Sequence, residues 1–275
     1  MNTSLMAQFI IIFLLTQTLG LIAGNYLIEE QIRAVIVNED PESVDNSIGL
    51  FVWILISTAI LIILLRYAPE LIVTILLKSL ESFAIFATAL IVMLPLDIPS
   101  LAAYAAAIFL VATRIIFSKN LLLRNISSTV STAGAGALIG ASIGTIPIIV
   151  FLIALSIYDF IAVFKTKHMV ELAKGITSKN LSFTFAIPTK EHKFELGTGD
   201  LVVPLAFSVS ALAASRALPF PYFAVPAIAI LLASLSALIL TLHFASKNKG
   251  VPLPALPLQA VLMIIVFAIT KIAGY

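Results

Sequence analysis

Asp159 and Asp200 are carboxylic acids set in apolar sequence, within LSIYDFIAVF and ELGTGDLVVP. An ionisable side chain in such a run is costly to bury and is a mark of function by default. Neither has an oppositely charged residue within four positions on its own segment. Two carboxyls brought together where the dielectric is low cannot both ionise comfortably, so the pair shares one proton and titrates as a unit. The ionised member takes a proton from water, while the protonated member polarises an amide carbonyl and stabilises the developing oxyanion. That is the chemistry of peptide hydrolysis, and the sequence does not say which aspartate takes which role.

Other chemistries have weaker support. The chain has no cysteine, hence no thiolate nucleophile, disulfide framework or thiolate metal site. No H-E-x-x-H motif occurs, and His168, His192 and His243 are scattered, so no metal site is expected. Ser142, within Gly140-Ala141-Ser142, precedes His243. However, Gly136, Gly140 and Gly144 recur every fourth residue, which is the pattern of close helix packing rather than of a serine nucleophile. A third intramembrane acid, Glu81, stands three residues after Lys78, and the two are expected to pair on one helix face.

The elements that must position the aspartates follow from composition. With 61% hydrophobic residues, 11% charged residues and a mean hydropathy of +1.13, the chain needs a lipid solvent. At roughly 20 apolar residues per crossing, 275 residues hold about nine spans and leave no room for a second domain. The expected fold is therefore all-α, a single polytopic domain over residues 1–275. Its spans are near Met6–Leu27, Ile48–Leu65, Leu71–Leu94, Ile98–Phe117, Leu121–Ile143, Ile146–Phe164, Leu196–Ala217, Tyr222–Phe244 and Leu253–Ala273. The first run lacks a basic leader and is too long for a cleaved signal, so it is expected to be retained.

Orientation follows from the cations, because cytoplasmic loops retain Lys and Arg. A cytoplasmic N-terminus and an extracytoplasmic C-terminus put twelve of the 16 inside, among them Arg114, Arg124 and six lysines between Lys165 and Lys193. Only Arg33, Arg216 and Lys271 then lie outside, with Lys78 buried. In this arrangement Asp159 is six residues before Lys165, ~9 Å inside the cytoplasmic end of the sixth span, and Asp200 is five after Glu195, ~8 Å inside the seventh. Consecutive spans run antiparallel as neighbours, so the two carboxyls are expected at one level.

Three further features surround them. Gly197 and Gly199 flank Thr198 just before Asp200 and remove side chains where a backbone could approach. Pro252, Pro254 and Pro257 crowd the start of the ninth span, where the helix must begin late or be broken. The loop from Lys165 to Glu195 contains Leu181–Ile187, LSFTFAI, whose alternation predicts a strand.

Together these segments resemble the signature of the presenilin and signal peptide peptidase family of intramembrane aspartyl proteases. The Tyr-Asp motif matches Tyr158 and Asp159; Gly-x-Gly-Asp matches Gly197, Thr198, Gly199 and Asp200; Pro-Ala-Leu matches Pro254, Ala255 and Leu256. The resemblance implies that Asp159 and Asp200 are the catalytic pair and that the Pro-Ala-Leu segment lies beside them and contacts substrate. The derived orientation resembles that of presenilins, whereas signal peptide peptidases are inverted. Thr198 departs from the leucine frequent in presenilins. The short loop after Lys165 leaves little room for the segment in which eukaryotic presenilins cleave themselves, so the chain resembles a compact microbial homologue.

The expectation is an aspartic endopeptidase of the cell membrane that needs no cofactor. Its partners would be the lipid bilayer and the transmembrane helices of substrate proteins, optionally further copies of the chain, with no nucleic acid and no required accessory subunit. An unwound substrate could pair with a strand, and Leu181–Ile187 offers an edge. The alternative is a proton- or cation-coupled secondary transporter using the same aspartates, which would predict internal repeats that the sequence does not display.

Overall fold

The computed structural model describes residues 3–166, 181–188, 193–247 and 254–275. His168, His192, Pro252 and most of the lysine-rich loop lie outside them. The described residues form nine α-helices: α1 (Thr3–Glu29), α2 (Val44–Tyr67), α3 (Glu70–Met93), α4 (Ser100–Ile116), α5 (Leu121–Ser142), α6 (Thr145–Ile161), α7 (Gly199–Ala214), α8 (Val225–Lys247) and α9 (Leu256–Ile272). Five of the helical stretches are long and apolar enough to cross a membrane, namely Leu5–Glu29, Val44–Tyr67, Glu70–Leu96, Thr145–Lys165 and Tyr222–Phe244. Between α6 and α7 the chain adds what an all-α reading lacks, an antiparallel hairpin of β1 (Thr184–Pro188) and β2 (Lys193–Gly197).

The middle of the bundle is α7, with every residue from Leu201 to Leu212 buried except Val202. A helix apolar on all sides must be surrounded by protein, and here its neighbours are α1, α5, α6 and α8. Close approach comes from glycines on both flanks. Leu205 fills the space beside Gly20 of α1 and Gly136 of α5, and Val209 that beside Gly24 and Gly140. A Cβ at Gly140 would also stand 2.4 Å from the Ala206 carbonyl oxygen. Gly144, third in the same stripe, does something else. It caps the N-terminus of α6, and the space beside it holds the Glu42 carboxylate from the loop after α1.

Two sequence expectations change here. The seventh helix begins at Gly199 rather than at Leu196, because Leu196 pairs with Phe185 in the hairpin. Lys78 is exposed, and Glu81 does not pair with it. Instead the Glu81 carboxylate accepts from Arg114 Nε of α4 at 3.1 Å and from the Ser182 amide at 2.7 Å. Glu81 and Arg114 are 6% and 4% exposed, so each neutralises a charge the other helix had to bury.

Candidate active site

Asp159 lies in the last turn of α6, and Asp200 is the second residue of α7. The helices are packed neighbours, so the carboxyls arrive at the same end of the bundle from opposite chain directions. Both are partly buried, and they lie within electrostatic reach of each other. Asp200 stands in the first turn of its helix, whereas a span that starts at Leu196 places a full turn before it.

The Pro-Ala-Leu segment completes this end. α9 starts at Leu256, with Ala255 as its N-cap and Pro257 in the first turn. The first amides of a helix have no internal acceptor, and the Leu256 N–H lies beside the Asp159 carboxylate. Ala255 joins the buried cluster that also holds Phe185, Ile187 and Leu196 of the hairpin, while Leu256 enters the core formed by α6, α7 and α9. Of the three prolines, Pro254 and Pro257 lie among the described residues, and they flank the start of a helix aimed at the site.

The hairpin is fastened from below. Arg124, 1% exposed, reaches from α5 to Glu195 of β2 at 3.0 Å, to Thr184 O at 3.2 Å and to the Thr184 hydroxyl. Asn125 brackets Ala186, accepting from its N–H and donating to its carbonyl, each at 2.9 Å. Ser128 donates to Ser182 O and Thr184 O. These bonds occupy the side of β1 that faces away from β2. The edge expected at Leu181–Ile187 for a substrate strand is thus already taken by α5, and an incoming strand would have to displace Asn125.

The remaining site residues divide. Thr198 sits at the turn into α7, its N–H and hydroxyl both 3.1 Å from Phe183 O. A Cβ at Gly199 would meet no described atom within 4 Å, and one at Gly197 would meet only Asp200 Oδ2 at 3.8 Å. Both glycines therefore leave room beside the carboxyl rather than serving helix packing. Tyr158 packs against α2, its ring edge-on to Phe51 at 6.2 Å and its hydroxyl near Thr58.

Sequence reading missed Gln259 and Gln17, whose amides reach the backbone carbonyls of Asp200 and Leu201. The available signal was Pro204, four residues after Asp200. Two spaces adjoin this end of the bundle. A groove of about 350 Å³ between α6 and α9 is lined by Ile157, Phe160, Pro257 and Val261, and it reaches the immediate neighbours of Asp159 and Leu256. A cavity of about 190 Å³ behind Thr198 is bordered by Glu81, Thr88, Ser131, Thr132 and Ser182. Among the described residues no cluster of His, Asp and Glu could hold a metal.

An apolar helical bundle with two neighbouring carboxyls at one end is the architecture of the intramembrane aspartyl proteases, a class of integral membrane proteins. The signal-peptide peptidase, presenilin aspartyl protease family matches residues 10–274, and the chain belongs to that family. Its fold is similar to a presenilin family intramembrane aspartate protease solved in space group C222, with a TM-score of 0.73 and 21% identity over 98% of this chain and 99% of that one. It is likewise similar to one solved in space group P2, with a TM-score of 0.68 and 22% identity over 96% of each chain. No curated protein matches it in sequence.

Proposed function

We propose that this protein hydrolyses peptide bonds within transmembrane segments of other proteins, with Asp159 and Asp200 as its general acid and base. The observation that supports this reading is that the two carboxyls lie at the same end of the packed helices α6 and α7, within electrostatic reach of each other, with the Leu256 amide beside Asp159. One aspartate deprotonates water as the other protonates the scissile carbonyl oxygen, and the two exchange roles as the tetrahedral intermediate collapses. The Leu256 N–H beside Asp159 offers that carboxyl a donor from the start of α9.

Water and substrate need separate routes to one place. The cavity behind Thr198 has room for several water molecules at roughly 30 Å³ each, and Thr132 Oγ1 on its wall has no partner among the described residues. The apolar groove between α6 and α9 suits a substrate helix approaching from lipid. A helix hides its peptide bonds in its own hydrogen bonds, so the substrate must unwind where Gly197 and Gly199 leave space beside Asp200.

In this reading Pro254, Ala255 and Leu256 shape the site and contact substrate, and the single domain crosses the cell membrane nine times with its N-terminus in the cytoplasm. The protein acts without accessory subunits or cofactor. The test is purified protein in lipid vesicles with a transmembrane substrate, products identified by mass, run beside a cation-flux assay. Cleavage at a bond inside the apolar segment is the expected result. Flux that depends on either aspartate, without cleavage, would instead establish the transporter.

A further inference from the structure

Pro204 lies inside α7, four residues after Asp200. A proline within a helix has no N–H for the carbonyl four residues before it, and its ring presses against that carbonyl. The carbonyl orphaned here belongs to Asp200 itself. A different donor reaches it. Gln259 Nε2, from α9, stands 3.2 Å from Asp200 O and 3.3 Å from Ser234 Oγ. The next carbonyl, Leu201 O, receives Gln17 Nε2 from α1 at 3.1 Å. Gln259 is fully buried and Gln17 is 2% exposed.

We propose that Gln259 and Gln17 are positioning residues for Asp200: Gln259 replaces the helical bond that Pro204 removes, and the two together fix the turn on which the carboxyl stands. The proposal rests on the protease reading above. A helix whose ladder is interrupted at a proline bends there, and the turn before the break is short, running only from Gly199 to Val203. Apolar packing resists separation of helices but is indifferent to small rotations of such a turn. Two amides, one from α1 and one from α9, remove that freedom.

The arrangement is poor as a device for stability. An alanine at position 204 would restore the bond without outside help, whereas the glutamines bring two buried carbonyl oxygens, Gln17 Oε1 and Gln259 Oε1, that have no partner among the described residues. Leaving such groups unpaired opposes folding. Local rules broken in this way at a carboxyl-bearing turn point to placement.

The test is a cycle of Gln259→Met, Pro204→Ala and the double variant, with Gln17→Met beside it, read by steady-state cleavage of a transmembrane substrate. Neither glutamine touches substrate, so Gln259→Met should lower kcat roughly ten- to hundredfold, the scale of a misplacement of about 1 Å, and leave KM within about twofold. Gln17→Met should lower kcat in the same sense. With Pro204→Ala the backbone supplies its own donor, and the same Gln259 substitution should then cost less than about threefold. A Gln259→Met chain that fails to fold alone but folds and cleaves with Pro204→Ala supports the same conclusion. Equal losses in both backgrounds, a change confined to KM, or a double variant that still fails to fold would overturn it. Native cleavage with an unaffected Gln259→Met refutes the positioning role alone; a native chain that cuts nothing refutes the protease reading and this proposal with it.

Discussion

The first amide of α9, on Leu256, lies beside the carboxylate of Asp159 on α6. This contact joins the Pro-Ala-Leu segment to an aspartate almost a hundred residues earlier, and it depends on where the helix starts. Leu256 is 4% exposed in the core that joins α6, α7 and α9. Leu256→Ala should therefore cost about 2–5 kcal/mol of stability through the lost core contacts, and loosen the amide with them. Thermal unfolding in detergent, measured beside cleavage, should show both falling together.

Two carboxyls that act as acid and base define a pH window. At low pH both are protonated and no base remains; at high pH both are ionised and no proton donor remains. The rate of product formation should therefore be bell-shaped. A rate that climbs steadily through neutral and alkaline pH would be incompatible with a shared proton.

The ion pair between Glu81 and Arg114 replaces the one expected within α3. Glu81→Ala takes the counter-charge from a buried guanidinium and the acceptor from the Ser182 amide, at a cost of about 3–5 kcal/mol. Lys78→Met, on the exposed face, should change stability by no more than about 0.5 kcal/mol. Unfolding midpoints of the two variants separate the pairings, since a large loss at Lys78 would restore the local pair.

What the sequence reveals here is set by range. Asp159, Asp200 and the helix limits are visible because each is a local departure from apolar composition, and the helices mostly end within a few residues of the expected limits. The partner of Glu81 lies 33 residues away on another helix, and that of Arg124 is 71 residues away on a strand. No local pattern encodes such pairs, so both arginines read as ordinary cytoplasmic cations. Leu196 reads as the start of a helix because strand and helix are equally apolar there. Only the pairing with Phe185 decides. Tyr158 shows the opposite limit, for a motif beside an aspartate does not fix which way the ring turns.

Gly140 permits the contact that centres α7. Gly140→Val would place its Cβ 2.4 Å from the Ala206 carbonyl oxygen, a backbone atom that cannot step aside. The expected loss is at least about 1–3 kcal/mol, with cleavage falling as α7 is displaced. Gly144→Ala meets only the movable Glu42 side chain and should cost less. Paired melting curves check the order.

The central claim is that Asp159 and Asp200 perform one task together, and a cycle of Asp159→Ala, Asp200→Ala and the double variant measures it most directly. Groups that act as a unit are not additive. Cleavage of a transmembrane substrate should fall roughly 10²–10⁴-fold or more in either single variant, and the double should be no worse than the singles. A folded single variant that retains most of its activity, or losses that multiply in the double, would contradict the account.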